Sequence, residues 1–196
     1  MTDFHREFHP LEPFLPEKAE VLMLGSFPPP KAKWRMNFYY PNFQNDMWRI
    51  FGLAFFDDKD HFLTINKKAF DKDRITAFLS KKGIALYDVG FEVVRLKGNA
   101  SDNFLKIVQP IDLYAVLEKI PLCRTLVTTG EKATHTLCSL LPGNVKKPSL
   151  ARFENVKLNG KMYRFYRMPS SSRAYPKSLL RKAEIYKRFF TEIGLR

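Results

Sequence analysis

The chain is poor in cysteine: Cys123 and Cys138 are the only two among its 196 residues. Two cysteines are too few for a disulfide scaffold, a four-cysteine zinc site or an iron–sulfur cluster. Histidine is also scarce, and although His5 and His9 are four residues apart, no third histidine or cysteine lies near them in the sequence. We therefore expect no metal and no other cofactor.

Long apolar segments are absent as well. No stretch approaches the ~20 consecutive apolar residues that span a bilayer. The first residues, MTDFHREFHP, lack the charged-then-apolar order of a signal peptide. We expect a cytoplasmic protein that does not associate with membranes. The GxGxxG and GxxxxGK motifs of dinucleotide-binding and P-loop proteins are missing too.

Acidic residues are outnumbered, because 20 Asp and Glu face 33 Lys and Arg, which gives a formal net charge of +13. Such an excess is typical of proteins that bind phosphate groups, although it also occurs on surfaces that serve solubility or bind anionic membranes. Residues 161–196 contain ten basic and two acidic residues, a local net charge of +8. We expect this C-terminal part to face an anion.

Four short apolar segments, each followed by a polar or glycine-containing turn, have the pattern of strands inside a parallel sheet. They are residues 20–24, 84–89, 125–129 and 163–168. Asn159-Gly160 separates two further strand-like segments and predicts a two-residue hairpin, which adds one antiparallel strand. With helical patterns between the strands, the sequence predicts an α/β fold with a mainly parallel four-stranded sheet covered on both faces. Because no repeat, low-complexity segment or linker is present, residues 1–196 should form a single domain, and we expect a monomer.

The helical patterns are apolar residues at spacings of three and four. The last helix should have Pro176 in its first turn and Gly194 at its end. An earlier helix should begin at the cap Asn42 and end at Gly52. Two more are expected after Gly130 and after the cap Ser101. The apolar residues that predict the last helix are Leu179, Ala183, Tyr186, Phe190 and Ile193. Those that predict the helix after Asn42 are Phe43, Met47, Ile50 and Phe51, and those that predict the helix after Ser101 are Phe104, Ile107 and Val108.

Residues that follow the strands are the candidate site residues, because ligands of such folds lie beyond the carboxyl ends of the strands. The first strand leads into GSFPPP, a stiff turn that either holds the Phe27 ring and backbone N–H groups against a flat ligand or is simply a structural proline turn. Asn45 lies near a helix start and is either a functional amide, a capping group or a solvent amide. The fourth strand leads into Ser170, Ser171 and Ser172, which suit phosphate binding or form an ordinary turn.

Six segments in order carry a resemblance to a known family: GSFPPP, FYYPNFQNDMW, ALYDV, ASD, TTGEKA and MPSSSRAYP. Together they resemble the uracil-DNA glycosylase superfamily, and most closely its branch of hypoxanthine (deoxyinosine) and mismatch-type uracil glycosylases. The resemblance runs from Glu20 to the C-terminal helix. It implies an α/β/α sandwich around a four-stranded parallel sheet, a base flipped into a pocket at the strand ends, and a loop after the fourth strand that enters the DNA.

The resemblance also implies catalytic residues. Asn45 matches the family's asparagine and would position the attacking water, with Asn42 as the alternative because the family often has His-Pro near Asn42-Phe43. Ser26 lies in the first motif, where other branches carry an acid or an amide. A serine without a neighbouring base is a poor general base, so its contribution should be modest. Pro29 replaces the usual glycine of this motif.

Other matched positions are candidates for binding the base and the DNA. Phe27, Tyr39 and Tyr40 would stack on the flipped base, and Asp88 would either accept from a base N–H or cap a turn. Ser170, Ser171 and Ser172 would grip phosphates, with Arg173 or Tyr175 as the wedge that fills the vacated stack. Lys177 and Arg181 would hold the DNA backbone, unless they form a solvated helix face.

The sequence thus predicts a monofunctional DNA glycosylase that removes hypoxanthine or uracil from DNA by hydrolysis and so initiates base excision repair. No lysine is obviously placed as a Schiff-base nucleophile, so no strand cleavage is expected. One alternative is a nucleic-acid-binding module of the same fold with weak or no catalysis, which the departures in the first motif would allow. Another is a hydrolase of free nucleosides.

Overall fold

A computed structural model describes residues 6–97 and 102–196. The strands are β1 (Arg6–Phe8), β2 (Val21–Gly25), β3 (Ile84–Asp88), β4 (Gly90–Arg95), β5 (Leu105–Pro110), β6 (Thr125–Thr129), β7 (Phe153–Leu158) and β8 (Lys161–Met168). The helices are α1 (Met47–Phe56), α2 (Lys72–Lys82), α3 (Leu113–Glu118), α4 (Glu131–Leu140) and α5 (Leu179–Glu192). Short 3-10 helices lie at Lys31–Lys33 and Asp102–Phe104.

The main sheet has the strand order β3-β2-β6-β8-β7 and is flanked by helices. Its first four strands are parallel, and β7 pairs antiparallel with β8. Every residue of β2, β3 and β6 is buried, so these strands lack the alternation of apolar and exposed polar residues that a strand with one solvated face shows. The predicted α/β class, with a mainly parallel four-stranded sheet and one added hairpin strand, is confirmed. Asn159 and Gly160 both have positive φ, 46° and 77°, as the predicted two-residue turn requires.

A second sheet was not predicted. It is antiparallel with the order β1-β4-β5, and β5 occupies the segment in which the sequence predicted a helix. That helix prediction is wrong. Leu105 and Ile107 alternate with exposed neighbours and pack as strand residues against β4, a pairing that local spacing does not reveal. The expected cap, Ser101, lies outside the described residues.

The predicted boundaries of α1 are also wrong. The helix begins at Met47, and Asn42 instead accepts a hydrogen bond from the backbone N–H of Gln44 in the preceding turn. At the other end, Gly52 lies inside the helix, which runs on to Phe56 and ends at Asp57 with φ 55°. Gly52 is needed for packing, because a Cβ there would collide with the carbonyl oxygen of Asp58.

The prediction that Pro176 lies in the first turn of the last helix is wrong, because the helix starts three residues later, at Leu179. Its N-cap is Ser178, whose side chain accepts from the N–H of Arg181. Gly194, with φ 78°, follows its end as predicted. The helices predicted after Gly130 and at the C-terminus are therefore confirmed as α4 and α5. Within the described ranges, no helix has the length and apolar composition that crossing a bilayer requires.

Candidate active-site cleft

A cleft of about 1030 Å³ lies where the parallel strands end. The last residues of β2, β3 and β6 and the loop after β8 all contribute to its lining, as expected for a sheet of this class. Eleven of the predicted site residues line it, namely Ser26, Phe27, Tyr39, Tyr40, Asn45, Asp88, Ser170, Ser171, Ser172, Arg173 and Tyr175. Lys177 and Arg181 are not among the lining residues. The structure thus brings together residues that lie up to 149 positions apart, because the four strands end at one edge of the sheet.

Asp88 and Gly25 are neighbours at this edge. They are paired in the register of β3 and β2, and a Cβ at position 25 would collide with Oδ1 of Asp88. Gly25 is therefore required so that the carboxylate can lie against the backbone at the end of β2. Only 5% of the surface of Asp88 is exposed.

His9 holds this buried carboxylate, and the sequence did not indicate its role. Its fully buried ring places Nε2 at 3.1 Å from Oδ2 of Asp88 and Nδ1 at 2.8 Å from the carbonyl oxygen of Leu11. The ring packs among Phe27, Tyr39 and Tyr87. Among the described residues Asp88 accepts no backbone N–H, so it does not cap a turn as one sequence hypothesis suggested. With Oδ2 bound to His9, Oδ1 remains to accept from a ligand.

The three candidate stacking rings differ in exposure. Tyr39 is 2% exposed, and its hydroxyl donates to the carbonyl oxygen of Glu12, so its ring forms part of a packed wall. Phe27 and Tyr40 are half-buried and offer more open rings. The Tyr40 hydroxyl lies 3.1 Å from Oγ1 of Thr129. Burial raises the pKa of Tyr40 well above its usual value, so this hydroxyl remains protonated at neutral pH.

Ser26 has a carboxylate neighbour that the sequence does not indicate. Its hydroxyl donates to Oδ1 of Asp102 at 2.6 Å, and both residues line the cleft. Burial raises the pKa of Asp102 above its ordinary value, while the Ser26 hydrogen bond and the charge of Lys132 oppose that rise. Asp102 belongs to the ASD segment, one of the six segments that carry the resemblance. Nothing in the spacing places it 76 residues away beside Ser26.

Asn45 lies two residues before α1, next to the N-cap residue Asp46, and uses one atom of its amide for structure. Its Oδ1 accepts from the backbone N–H of Met47 at 2.9 Å, so the capping hypothesis describes part of its role. Among the described residues, Nδ2 of Asn45 has no hydrogen-bond partner, and the residue lines the cleft. Asn42 lines the same cleft, with its own Oδ1 bound to the N–H of Gln44. The two asparagines therefore remain alternatives for positioning a ligand.

The serine loop, residues 170–172, organises itself through its own hydroxyls. Ser170 Oγ accepts from the N–H of Ser172, and Ser172 Oγ accepts from the N–H of Ala174, as in an ordinary turn. Ser171 is 3% exposed, and its carbonyl oxygen accepts from the N–H of Asp46. The half-buried hydroxyls of Ser170 and Ser172 have lone pairs engaged in these bonds and can still donate their protons to a ligand.

Ion pairs fix the flanks of the serine loop. Arg173 Nε lies 2.9 Å from Oδ1 of Asp46, and the buried Lys182 Nζ lies 3.0 Å from Oδ2 of the same carboxylate. Tyr175 has no side-chain hydrogen bond to any described residue and is half-buried at the cleft. Farther along, Arg181 pairs with Glu184 at 2.8 Å, whereas Lys177 has no acidic partner in the part of the chain that the structure describes.

Comparison with known proteins supports the fold. No family model matches the chain, and a search of curated protein sequences found no match. It is similar to the solution NMR structure of a putative uracil DNA glycosylase from Methanosarcina acetivorans, with a TM-score of 0.57 and 23% sequence identity over 91% of this chain and 95% of that chain. At this identity the likeness establishes a uracil-DNA-glycosylase-like fold.

Proposed function

We propose that the protein is a monofunctional DNA glycosylase of the uracil-DNA glycosylase superfamily, which hydrolyses the N-glycosidic bond of hypoxanthine or uracil flipped out of DNA. One observation carries this proposal: a single cleft gathers Asn45, the buried carboxylate of Asp88, half-buried aromatic rings and the serine loop. Each of these groups meets a different requirement of the reaction. The glycosylase-like fold supports the same proposal.

Asp88 supports recognition of a deaminated base. Its Oδ1, which accepts no hydrogen bond from a described residue, is an acceptor. Deamination turns the ring nitrogen N3 of cytosine or N1 of adenine from an acceptor into an N–H donor. Uracil and hypoxanthine can therefore donate to Asp88 where cytosine and adenine present a lone pair. Phe27 and Tyr40 would hold the plane of the base, because a base taken out of the stack needs a replacement for its stacking energy.

Asn45 supports the hydrolytic step. Cleavage passes through an oxocarbenium-like sugar, so a water must be held beside C1′ while the bond to the base breaks. The Nδ2 of Asn45, which contacts no hydrogen-bond acceptor among the described residues, can donate to that water, since its Oδ1 is already bound to Met47.

Tyr175 and the serine loop support the DNA-binding role. Arg173 is tied to Asp46, so Tyr175 is the freer of the two candidates for the wedge. Ser170 and Ser172 can donate to phosphates, and Lys177 lies close to them in sequence with a charge that no described acidic residue neutralises.

Two lysines in the described part of the chain line the cleft, and neither resembles a Schiff-base nucleophile. Lys132 Nζ donates to the carbonyl oxygen of Leu105 at 2.9 Å, and Lys33 is exposed. A Schiff-base lysine is usually desolvated or placed beside another cation. Hydrolysis without strand cleavage is therefore the expected chemistry.

A panel of labelled oligonucleotides tests the proposal. The substrates are duplexes with one U:G, U:A, T:G or hypoxanthine:T pair, the corresponding single strands and free deoxyuridine and deoxyinosine. We expect alkali-labile abasic sites in at least one uracil or hypoxanthine substrate, and no strand break before alkali is added. A protein that produces no abasic site in any oligonucleotide would contradict the proposal. Strand breaks without alkali would contradict its monofunctional part.

A nucleic-acid-binding module without turnover is the second candidate. It is favoured by the capping bond of Asn45, because an asparagine retained only to cap α1 would make the same contact. Binding of abasic or mismatched duplexes with no base release across the panel would support this candidate.

A further inference from the structure

Three carboxylates among the described residues line the cleft, and two of them are bound to cationic or histidine partners. Asp88 is held by His9, and Glu131 is held by Lys147 at 2.7 Å, by His135 and by Arg167. Asp102 forms no ion pair with any residue that the structure describes; its one side-chain partner is the hydroxyl of Ser26. A carboxylate with lone pairs left over at the cleft is the kind of group that can accept a proton from a bound water.

The Ser26–Asp102 contact has the geometry of a hydroxyl donating to an ionised carboxylate. Its O···O distance of 2.6 Å falls in the range of about 2.5–2.7 Å found for such charge-assisted bonds. Since Ser26 is the donor, the carboxylate remains an acceptor, and Ser26 orients it. The two residues come from different elements: Ser26 follows β2, and Asp102 opens the 3-10 helix before β5.

The surroundings of Asp102 suit a general base. Burial is the largest influence on its pKa and raises it, and the negative charge of Asp88 at the end of β3 adds to the rise. The Ser26 hydrogen bond, Lys132 on α4 and Arg95 on β4 act in the opposite direction. The result is a pKa above that of an ordinary aspartate, closer to the neutral range in which a general base is most effective.

We propose that Asp102 is the general base of the glycosylase reaction, with Ser26 as its positioning residue; this inference rests on the proposed function. One carboxylate oxygen of Asp102 takes a proton from the water held by Asn45. As the water oxygen forms its bond to C1′, the bond from C1′ to the base nitrogen breaks, and its electron pair leaves with the base. The acid that the first motif lacks is thus supplied by another segment of the chain.

The test measures single-turnover cleavage of the best panel substrate across the acid and neutral pH range, for the wild type and for Asp102→Asn, Ser26→Ala and Asp73→Asn. Asp73 is an exposed carboxylate in the first turn of α2 and serves as a matched control for the loss of one charge. Binding of each variant to an abasic duplex and its thermal melting are measured alongside.

We expect the wild-type rate to rise with pH as Asp102 loses its proton. Asp102→Asn should cleave the substrate about 100-fold more slowly, a typical loss when a general base is removed. Its cleavage rate should no longer rise with pH. Its abasic-duplex affinity should be equal or tighter. Because the Ser26 hydrogen bond lowers the pKa of Asp102, Ser26→Ala should move the rise to higher pH and recover its rate there. Asp73→Asn should match the wild type.

An active wild type whose Asp102→Asn variant keeps the same pH profile would overturn the inference and leave the proposed function standing. If Asp102→Asn does not fold, an unshifted profile in Ser26→Ala would overturn it equally. A wild type inactive on every substrate would remove the proposed function and the inference together.

Discussion

At the scale of single residues, the two ends of the Asn45 amide have separate roles. Its carbonyl oxygen caps the start of α1, and its NH₂ group is the part available to a water in the cleft. Replacing the whole side chain would mix a loss of helix stability with a loss of catalysis. A substitution that keeps the cap and removes the donor separates them.

Asn45→Asp keeps an oxygen to accept from Met47 and replaces the NH₂ donor with an acceptor. We expect stability close to that of the wild type and a single-turnover rate about 100-fold lower, as for removal of one placed donor. Asn45→Ala should lose the rate and also about 1 kcal/mol of unfolding free energy, because the cap is lost. Denaturant unfolding and cleavage assays measure the two effects.

Asn42→Ala is the control for this prediction. Asn42 lines the same cleft, and its side chain also accepts from a backbone N–H. The Asn42→Ala variant should nevertheless keep a cleavage rate within a few-fold of the wild type. The reverse result, with Asn42→Ala slow and Asn45→Asp active, would assign the water to Asn42.

At the scale of secondary-structure elements, one buried cation joins three segments of the site. Lys182 on α5 is 1% exposed, and its Nζ contacts Oδ2 of Asp46 before α1 and the carbonyl oxygen of Ser172 at 3.2 Å. A lysine on the apolar side of a helix is costly to bury unless it is paired. Lys182 is paired here with Asp46, and through these contacts it anchors the serine loop to α5 and to the start of α1.

Lys182→Met should lower the unfolding free energy by about 3 kcal/mol, because it leaves Asp46 buried with Arg173 as its one remaining ionic partner. Lys187→Met is the matched control on the same helix: Lys187 also pairs with an aspartate, Asp57, at 2.6 Å, but the pair is at the surface. It should cause no measurable change. Equal losses in the two variants by urea unfolding would contradict the anchoring role.

At the scale of the whole molecule, the distribution of charge is more restricted than the net value of +13 indicates. Of the ten basic residues in 161–196, six form ion pairs with acidic residues: Arg167, Arg173, Arg181, Lys182, Lys187 and Arg196. The charge of these residues is partly neutralised within the fold. Lys177 is among the remaining four and is the one that directly follows the cleft-lining residues.

For binding to an abasic duplex, Lys177→Ala should reduce the slope of log K, where K is the association constant, against log[salt] by about 0.9, the contribution of one phosphate contact. Arg181→Ala should change the slope less, since Glu184 already opposes that guanidinium. Fluorescence anisotropy over a range of salt concentrations measures both. A slope that both variants leave unchanged would place the DNA elsewhere, and cleavage that is insensitive to salt would favour free nucleosides as substrates.

The sequence was most informative where local pattern and tertiary structure coincide. The four parallel strands were predicted to within a residue or two, because buried parallel strands are continuous apolar runs. The Asn159-Gly160 hairpin was found because few dipeptides accept two positive φ values. The start of α1 was missed, since Phe43 continues its apolar spacing although the chain is still in a turn.

Long-range contacts were beyond prediction from the sequence. The β1-β4-β5 sheet forms by pairing across intervening residues, and β5 has an apolar spacing that also suits a helix. His9 and Asp102 were missed for the same reason: each meets its partner, Asp88 or Ser26, more than 70 residues away.

The sequence by itself determined the α/β class, the order of the strands along the chain and the segments that follow them, because strand burial and turn chemistry are local properties. The resemblance of six short motifs identified the candidate residues. Only the tertiary structure decided which atoms of those residues remain free for chemistry. Hydrogen bonds and ion pairs between distant segments engage Oδ2 of Asp88 and the guanidinium of Arg173, and they give Ser26 a carboxylate partner. Such partners depend on how the elements pack together, which no local pattern encodes.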